Sequence, residues 1–118
     1  MPDEKPRLSA DPMYLLIREG RVEEFNRRKN AGEKFDLRGC NFRGLDLREL
    51  DVSGGLDLTN AYLRQADLRG LNLSKCRLEG ASLHAAHVSG VLFPVELEPP
   101  EIEMSVRIGT RMRMRRGE

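Results

Sequence analysis

The sequence predicts an all-β solenoid, a rod built from stacked coils, and two observations lead to this fold class. The first is a five-residue unit that repeats from Phe35 to Val95: a small or apolar residue, a polar residue, Leu or Phe, and two mostly polar residues. Leu45-Asp46-Leu47 and Ala66-Asp67-Leu68 show its register. The second is that apolar residues five positions apart fit neither the 3.6 period of a helix nor the 2.0 period of a flat strand. A fixed internal period is instead typical of solenoids.

The unit length predicts a square coil with one unit on each side. Four units, about 20 residues, then complete one turn, and the twelve units make about three coils. One extra residue near Gly54-Gly55 is expected to bulge a corner. The inward columns would be Leu37/Leu58/Leu78, Phe42/Leu63/Leu83, Leu47/Leu68/Val88, Val52/Leu73/Phe93, Phe35/Leu56/Cys76, Cys40/Ala61/Ala81, Leu45/Ala66/Ala86 and Leu50/Leu71/Val91. Apart from two thiols these side chains are apolar, so the columns predict a continuous core.

The units resemble those of the bacterial pentapeptide-repeat family, whose pattern is Ala, Asp or Asn, Leu and two free positions. Ala66-Asp67-Leu68-Arg69-Gly70 and Ala61-Tyr62-Leu63-Arg64-Gln65 carry the resemblance, which extends over about 60 of the 118 residues. It implies a right-handed quadrilateral β-helix. The many Leu residues in the usually small slot and the extra residue depart from the family pattern.

Both ends of the solenoid are expected to need covers, because three coils are close to the minimum for a stable stack. Asp11 as N-cap and Pro12 as first helical residue predict a helix over 13–19, and a second helix is expected over 22–30. The predicted organisation is a flexible N-terminus 1–10, a helical cap 11–34, a β-helix 35–95, and a C-terminal cap with an arginine-rich tail 96–118.

The C-terminal segment supports two interpretations. Pro99-Pro100-Glu101 at its start and Gly109 at its end favour a short helix up to Ile108. Strict alternation of residue type from Ile102 to Met114 favours a strand, which could pair with a second copy about Arg107. The helix is preferred because both its start and stop signals are present. Either form is predicted to cover the last coil or to join two chains as a homodimer.

Charge and hydropathy restrict location and partners. With 20 basic and 19 acidic residues the chain has no global attraction for nucleic acid or anionic lipid. No apolar run approaches the roughly 20 residues that cross a bilayer, and Met1 to Lys5 lacks the apolar core of a signal peptide. A cytoplasmic location is expected, with Cys40 and Cys76 as buried free thiols rather than disulfide, metal or redox groups.

The sequence contains no catalytic or metal-binding constellation. The two histidines, His84 and His87, are predicted to fall on neighbouring sides of the last coil, with no surface cysteine beside them. The glycines end repeat units and do not form a phosphate-binding loop. The chain is therefore expected to be non-enzymatic and to need no cofactor and no metal.

The outward columns supply the first candidate partner-binding site. Its residues are Arg43, Arg64 and His84 in one column and Arg48 and Arg69 in the next, flanked by Asp46, Asp67 and His87. One interpretation is a solvated ladder in which Asp and Arg neutralise each other. The other is a flat docking face whose guanidinium groups bind an acidic or phosphorylated partner.

The tail supplies the second candidate site, with five arginines in ten residues: Arg107, Arg111, Arg113, Arg115 and Arg116. It could bind anionic lipid, nucleic acid or a nucleotide, or only aid solubility. The tail has no aromatic residue for base stacking, which disfavours nucleic acid.

The favoured function is a small interaction or scaffold module that presents rigid faces to a protein partner. The alternative is an anionic-ligand binder acting through the arginine tail. Some members of the resembled family mimic DNA and bind type II topoisomerases, but seven acidic and seven basic residues over 35–95 disfavour mimicry of a polyanion.

Overall fold

The computed structural model describes residues 10–115, with helices at both ends of the repeat region. Helix α1 covers Pro12–Arg18, α2 covers Val22–Asn30 and α3 covers Pro99–Ile108. The two helices expected near the N-terminus are present, the first of them beginning and ending one residue earlier than expected. Of the predicted flexible N-terminus, 1–10, only the last residue lies within the described part of the chain. No described helix has the length and hydropathy of a membrane-spanning segment.

The start of α1 follows the capping chemistry read from the sequence. The Asp11 side chain accepts a hydrogen bond from the Met13 N–H at 2.9 Å, and Pro12 occupies the first helical position. The helix ends at Arg18, and Gly20, which follows the C-cap residue Glu19, has a φ of 79° in the left-handed region that favours glycine. Local sequence signals are therefore sufficient to define this helix.

The repeat region, 35–95, pairs with itself in a parallel register. Asp46 pairs with Asp67, 21 residues later, and Asp67 pairs with His87, 20 residues later. The longer first interval contains Gly54 and Gly55, both with positive φ, of 78° and 85°. The predicted period of about 20 residues and its single extra residue are thus present in the structure.

The all-β class needs a correction, because within residues 10–115 the pairings are isolated bridges and the only regular elements are three helices. Continuous strands do not form because each unit turns directly after its central residue. The Leu45 N–H donates to the Phe42 carbonyl at 3.1 Å, and the Leu50 N–H donates to the Leu47 carbonyl at 3.0 Å. Too few residues are extended on each side to make a ladder. The handedness of the coil and the β-helix itself stay predictions.

The predicted inward columns form the core. Eighteen of their 24 side chains are buried, including Leu63, Leu78 and Leu83 at 1% exposure or less. The other six are partly buried and belong to the first and last coils: Phe35, Leu45, Val52, Val88, Val91 and Phe93. Burial thus decreases toward the two ends, where a coil has another coil on one side only. Cys40 and Cys76 are buried, as predicted, and burial raises the pKa of the Cys76 thiol.

The two N-terminal helices cover the first coil with apolar side chains. The Tyr14 ring lies edge-on to Phe42 with centroids 5.5 Å apart, and Phe25 lies edge-on to Phe35 at 5.1 Å. Tyr14 and Phe25 are fully buried. Because edge-to-face rings exclude water from this end, the cap continues the hydrophobic core of the repeats.

Polar side chains of the same helices satisfy backbone groups of the first coil. The Tyr14 hydroxyl donates to the Asn41 carbonyl at 2.6 Å. Asn26 acts as a substitute peptide group, since its amide donates to the Glu49 carbonyl at 2.9 Å while its oxygen accepts from the Asp51 N–H at 2.8 Å. An open row of backbone groups would be a template for aggregation, so these contacts close an otherwise exposed edge.

The C-terminal segment forms a helix and then a short extended stretch. α3 ends at Gly109, whose φ of 81° reverses the chain. Beyond it the chain is extended, and Arg111 forms an antiparallel bridge with Ser82. The Met112 N–H donates to the Ala81 carbonyl at 2.9 Å, and the Met112 side chain is fully buried. The helix interpretation describes the segment up to Ile108, whereas the described residues that follow form one isolated bridge and no regular strand.

The structure does not contain the predicted strand centred on Arg107, because Arg107 lies within α3. Glu101 binds Arg113 within the same chain, at 3.1 Å. The turn at Gly109 brings these two opposite charges together. A homodimer through this segment stays a prediction.

Candidate partner-binding site

The column of Arg48 and Arg69 is neutralised by its neighbours. Arg48 lies 2.8 Å from an Asp46 carboxylate oxygen and 3.3 Å from an Asp67 oxygen. Arg69 lies 2.8 Å from Asp67. The parallel pairing of Asp46 with Asp67 stacks these carboxylates beside the arginines, so charges from successive coils compensate each other. For these two residues the self-compensating ladder is the arrangement present.

The hydrogen bonds in this ladder shift the carboxyl groups toward their ionised forms. The Arg48 guanidinium, with help from the Arg48 backbone N–H, lowers the pKa of Asp46. The Arg69 guanidinium lowers the pKa of Asp67. Beneath the N-terminal helices, hydrogen bonds from the Ser53 hydroxyl and backbone N–H lower the pKa of Asp51 to about 2.

These shifts predict how stability depends on pH. A carboxyl group whose pKa is lower in the folded chain contributes stability that is fully present above its unfolded pKa of about 4 and is lost below it. We expect the urea midpoint to be constant above about pH 5 and to fall as the pH drops from about 4 to about 2, the folded pKa of Asp51. The Asp51→Asn variant should have a lower urea midpoint at pH 7, and its urea midpoint should change less with pH. A midpoint independent of pH over this interval would contradict the assignment.

The column of Arg43, Arg64 and His84 has different partners. The Arg43 Nε donates to the Gln65 side-chain oxygen at 2.8 Å. Arg64 donates to the Tyr62 hydroxyl at 2.9 Å, its Cζ lies 5.4 Å from the Tyr62 ring centroid, and it also bonds the His84 Nδ1. Within residues 10–115 neither arginine forms an ion pair with a carboxylate. The positive charge of each is therefore not neutralised by a neighbouring side chain and can attract an external anion.

Arg18 extends this column, and the sequence did not single it out. Its guanidinium donates to the Asn41 carbonyl at 3.0 Å, at the end of the row in which Asn41 pairs with Tyr62 and Tyr62 with Ser82. No carboxylate of the described chain forms an ion pair with it. A basic residue in the last turn of α1 was visible in the sequence, but the docking of α1 onto Asn41 was not. We call Arg18, Arg43 and Arg64, with Tyr62 and His84, the arginine face.

A shallow cleft lies on the arginine face. It has a volume of about 210 Å³ and is lined by Arg43, Tyr62, Arg64, Gln65, His84 and Ala85. Two arginines and a phenol thus line a space large enough for a carboxylate or a phosphate. The chemistry available here is recognition of an anion by preorganised guanidinium groups.

The tail arginines are dispersed and mostly paired. Arg107 lies 3.8 Å from Glu103, Arg113 3.1 Å from Glu101, and Arg115 2.9 Å from Glu98. Arg111 donates to the Gly80 carbonyl at 2.8 Å. Arg116 lies outside the described residues. Folding the segment back onto the last coil therefore divides the predicted basic cluster into separate ion pairs.

In residues 10–115 no group of three His, Cys, Asp or Glu side chains could hold a metal ion. His84 bonds Arg64, and His87 lies beside Asp67 in the adjacent row. The two histidines are thus on neighbouring sides, as the repeat register predicts.

Comparison with protein families identifies the repeats. The family model described as pentapeptide repeats matches residues 57–93, with eight copies. Residues 57–93 belong to the pentapeptide-repeat family. Repeats of this family form β-helices in general, the family is generally non-enzymatic, and repeat proteins of this kind often mediate protein interactions. No curated protein and no solved structure matches the chain.

The matched interval covers only part of the arginine face. Arg64, Tyr62 and His84 lie within it, whereas Arg43 lies in the first coil and Arg18 in α1. The first coil is built from the same five-residue unit. Its residues pair with residues 21 positions later, whereas those of the second coil pair with residues 20 positions later, so the two coils differ by one residue in length. The face therefore combines repeat residues with a residue of the N-terminal cap.

Proposed function

We propose that the repeat region is a right-handed quadrilateral β-helix and that this protein is a non-enzymatic interaction module. Its ligand is an acidic or phosphorylated segment of a protein partner, and its binding surface is the arginine face. The proposal includes a cytoplasmic location, an N-terminal cap over 11–34, a β-helix over 35–95 and a C-terminal cap over 96–118.

One observation carries the choice of surface. Arg48 and Arg69 have carboxylate partners at 2.8 Å, while Arg43 and Arg64 bond neutral groups. A guanidinium that already forms an ion pair must lose that pair to bind an external anion. A guanidinium held by an amide or a phenol keeps its charge, so an incoming carboxylate or phosphate adds a charge-assisted hydrogen bond at lower cost.

The arrangement of Arg64 also favours binding. Tyr62 lies under its guanidinium and His84 bonds one of its nitrogens, so two neighbours hold the side chain. A free arginine loses considerable rotamer freedom when it is immobilised by a ligand. Because Arg64 is held before the partner arrives, a smaller part of that entropy is lost on binding.

The test compares two double charge reversals with the same change in net charge. The probe is a fluorescent Glu-rich peptide, with a phosphoserine version and a Lys-rich peptide as reference, measured by fluorescence anisotropy on the full chain. We expect Arg43→Glu with Arg64→Glu to weaken binding of the acidic probes about tenfold or more, since charged hydrogen bonds contribute about 1.5–3 kcal/mol.

The matched control is Arg48→Glu with Arg69→Glu, which should weaken binding much less at the same ionic strength. Circular dichroism would verify that both variants are folded. Equal weakening by both variants would indicate a general charge effect and contradict the arginine face. No binding of either acidic probe by the parent chain would also contradict the proposal.

The alternative, an anionic-ligand binder acting through the tail, is less favoured because Glu98, Glu101 and Glu103 lie beside tail arginines. An external anion would have to compete with these carboxylates. Mimicry of DNA is disfavoured by the equal numbers of acidic and basic residues over 35–95.

A further inference from the structure

The side-chain acceptors that line the cleft on the arginine face are already bonded to its arginines. The Gln65 side-chain oxygen accepts from the Arg43 Nε at 2.8 Å, and the Tyr62 hydroxyl oxygen accepts from Arg64 at 2.9 Å. The His84 Nδ1 bonds Arg64 as well. Because a guanidinium has donors only, the histidine nitrogen is the acceptor in this bond. The cleft therefore has few acceptor positions left for a ligand.

The same bonds leave the donors of these side chains available. The Gln65 amide nitrogen and the Tyr62 hydroxyl proton donate to no group within residues 10–115. A neutral imidazole that accepts at Nδ1 carries its proton on Nε2, and for His84 this donor also has no partner in the described part of the chain. With Arg43 and Arg64, five side chains of one cleft present N–H or O–H groups. Such a cleft selects a ligand that only accepts hydrogen bonds.

The position of Arg64 is also fixed by the turn that follows α3. A Cβ atom at Gly109 would lie 2.9 Å from the Arg64 Nη2 and 3.3 Å from the His84 Cβ, so the backbone of this turn packs against both side chains. The Tyr62 ring centroid lies 5.4 Å from the Arg64 Cζ. Three neighbours thus hold the guanidinium, and its remaining N–H groups are preorganised for a ligand.

We infer that the arginine face is a phosphate site, whose ligand is a phosphoserine or phosphothreonine of a protein segment rather than a carboxylate. This inference rests on the proposed function and narrows its ligand. A phosphate monoester carries a charge of about −1.5 to −2 at pH 7 and three acceptor oxygens, whereas a carboxylate carries a single charge and two oxygens. Arg43 and Arg64, which have no carboxylate partner among the described residues, match the doubly charged group. The neutral donors of the cleft bond its additional oxygen.

The size of the cleft and the position of Arg18 favour a protein segment as the source of the phosphate. A volume of about 210 Å³ is below the roughly 300–1,000 Å³ of pockets that enclose a whole small molecule. The phosphate group therefore enters the cleft while the rest of the ligand lies across the surface. Arg18 donates to the Asn41 carbonyl on the same face and has no ion pair within residues 10–115. An acidic residue beside the phosphorylated one would bind it, whereas a free phosphate would leave it unused.

The test is fluorescence anisotropy on the full chain with two peptides of equal length and equal charge. One contains Ala followed by phosphoserine, and the other has two Glu residues at these positions. Both carry the same acidic neighbour. At about pH 7.5 the phosphate is almost fully ionised, so both peptides have the same net charge. We expect the phosphoserine peptide to bind about tenfold more tightly, since it forms at least one more charged hydrogen bond.

Gln65→Glu should weaken binding of the phosphoserine peptide about tenfold or more, because it gives Arg43 a carboxylate partner. Arg48 already has such a partner in Asp46, at 2.8 Å. The matched control is Asn72→Asp, which makes the same change from amide to carboxylate two units further along the coil. At physiological ionic strength a charge at that distance is screened, and affinity should change by less than about twofold. Unchanged affinity of the Gln65 variant would contradict the inference.

Thermal unfolding would verify that each variant is folded. Equal binding of the two peptides, weakened for both by Arg43→Glu with Arg64→Glu, would overturn the phosphate inference while the proposed function stands. Binding of the phosphoserine peptide that survives this double reversal would overturn both. Inorganic phosphate, or a vesicle that contains a phosphorylated inositol lipid, would overturn the choice of a protein segment if either bound more tightly than the peptide.

Discussion

Replacing Ser105 with Ala is expected to lower the free energy of unfolding by about 2–4 kcal/mol, because two backbone groups lose the side chain that bonds them. Ser105 is fully buried; its hydroxyl accepts from the Leu83 N–H at 2.8 Å and donates to the Thr110 carbonyl at 2.6 Å. Each buried group left without a partner costs about 1–3 kcal/mol. Urea unfolding at one fixed protein concentration would measure the loss.

Ser89→Ala is the matched control, since Ser89 is exposed and belongs to the same coil. Its expected effect is within about 0.5 kcal/mol. Hydrogen exchange should increase most at Leu83 and in the segment after Gly109, because Ser105 joins the last coil to that segment. An effect of Ser105→Ala no larger than that of Ser89→Ala would show that the hydroxyl does not hold the C-terminal cap.

Asn26→Asp is expected to destabilise the chain by about 2–3 kcal/mol, although it changes only an amide to a carboxylate. The Asn26 amide donates to the Glu49 carbonyl at 2.9 Å, and its oxygen accepts from the Asp51 N–H at 2.8 Å. A carboxylate keeps the second bond, but it places a second acceptor against the Glu49 carbonyl. It also places a negative charge near Asp51, which is ionised at neutral pH.

Asn72→Asp is the control for the chemical change itself. Among the described residues, Asn72 bonds through its side-chain oxygen alone, which accepts from the Ser74 N–H at 3.0 Å and from the Ser74 hydroxyl at 2.6 Å. Asp51 makes the same two bonds with Ser53, so the repeat accommodates Asp in this position. Equilibrium unfolding should therefore show a large loss for the Asn26 variant only. Equal losses would indicate that the cap does not depend on the donor.

The interior of the repeats could be predicted residue by residue. Each unit places its small residue and its central Leu or Phe inward, independently of residues elsewhere in the chain. A pattern of five residues therefore identifies the core. The first α-helix was also predictable, because Asp11, Pro12 and Gly20 act on neighbouring backbone groups. The predicted all-β class was incomplete. Each short unit turns directly after its central residue, so continuous strands do not form.

The candidate site was predictable only in part. The sequence placed Arg43, Arg64 and His84 in one column, and the bond between Arg64 and His84 agrees with that placement. The sequence did not show that Arg48 and Arg69 have carboxylate partners whereas Arg43 and Arg64 do not. The partner of each guanidinium depends on the direction of its side chain at the corner of the coil. Arg18 was missed because it reaches the site through the packing of α1.

The sequence by itself determined the period, the core columns and the position of the extra residue at Gly54-Gly55, because these follow from interactions repeated at short range. The tertiary structure alone decided which arginines are neutralised and how the two ends are closed. Those outcomes depend on contacts between residues far apart in the chain, such as Asn26 with Glu49 and Ser105 with Leu83. Such contacts leave no periodic signal, and they exist only once the caps are packed.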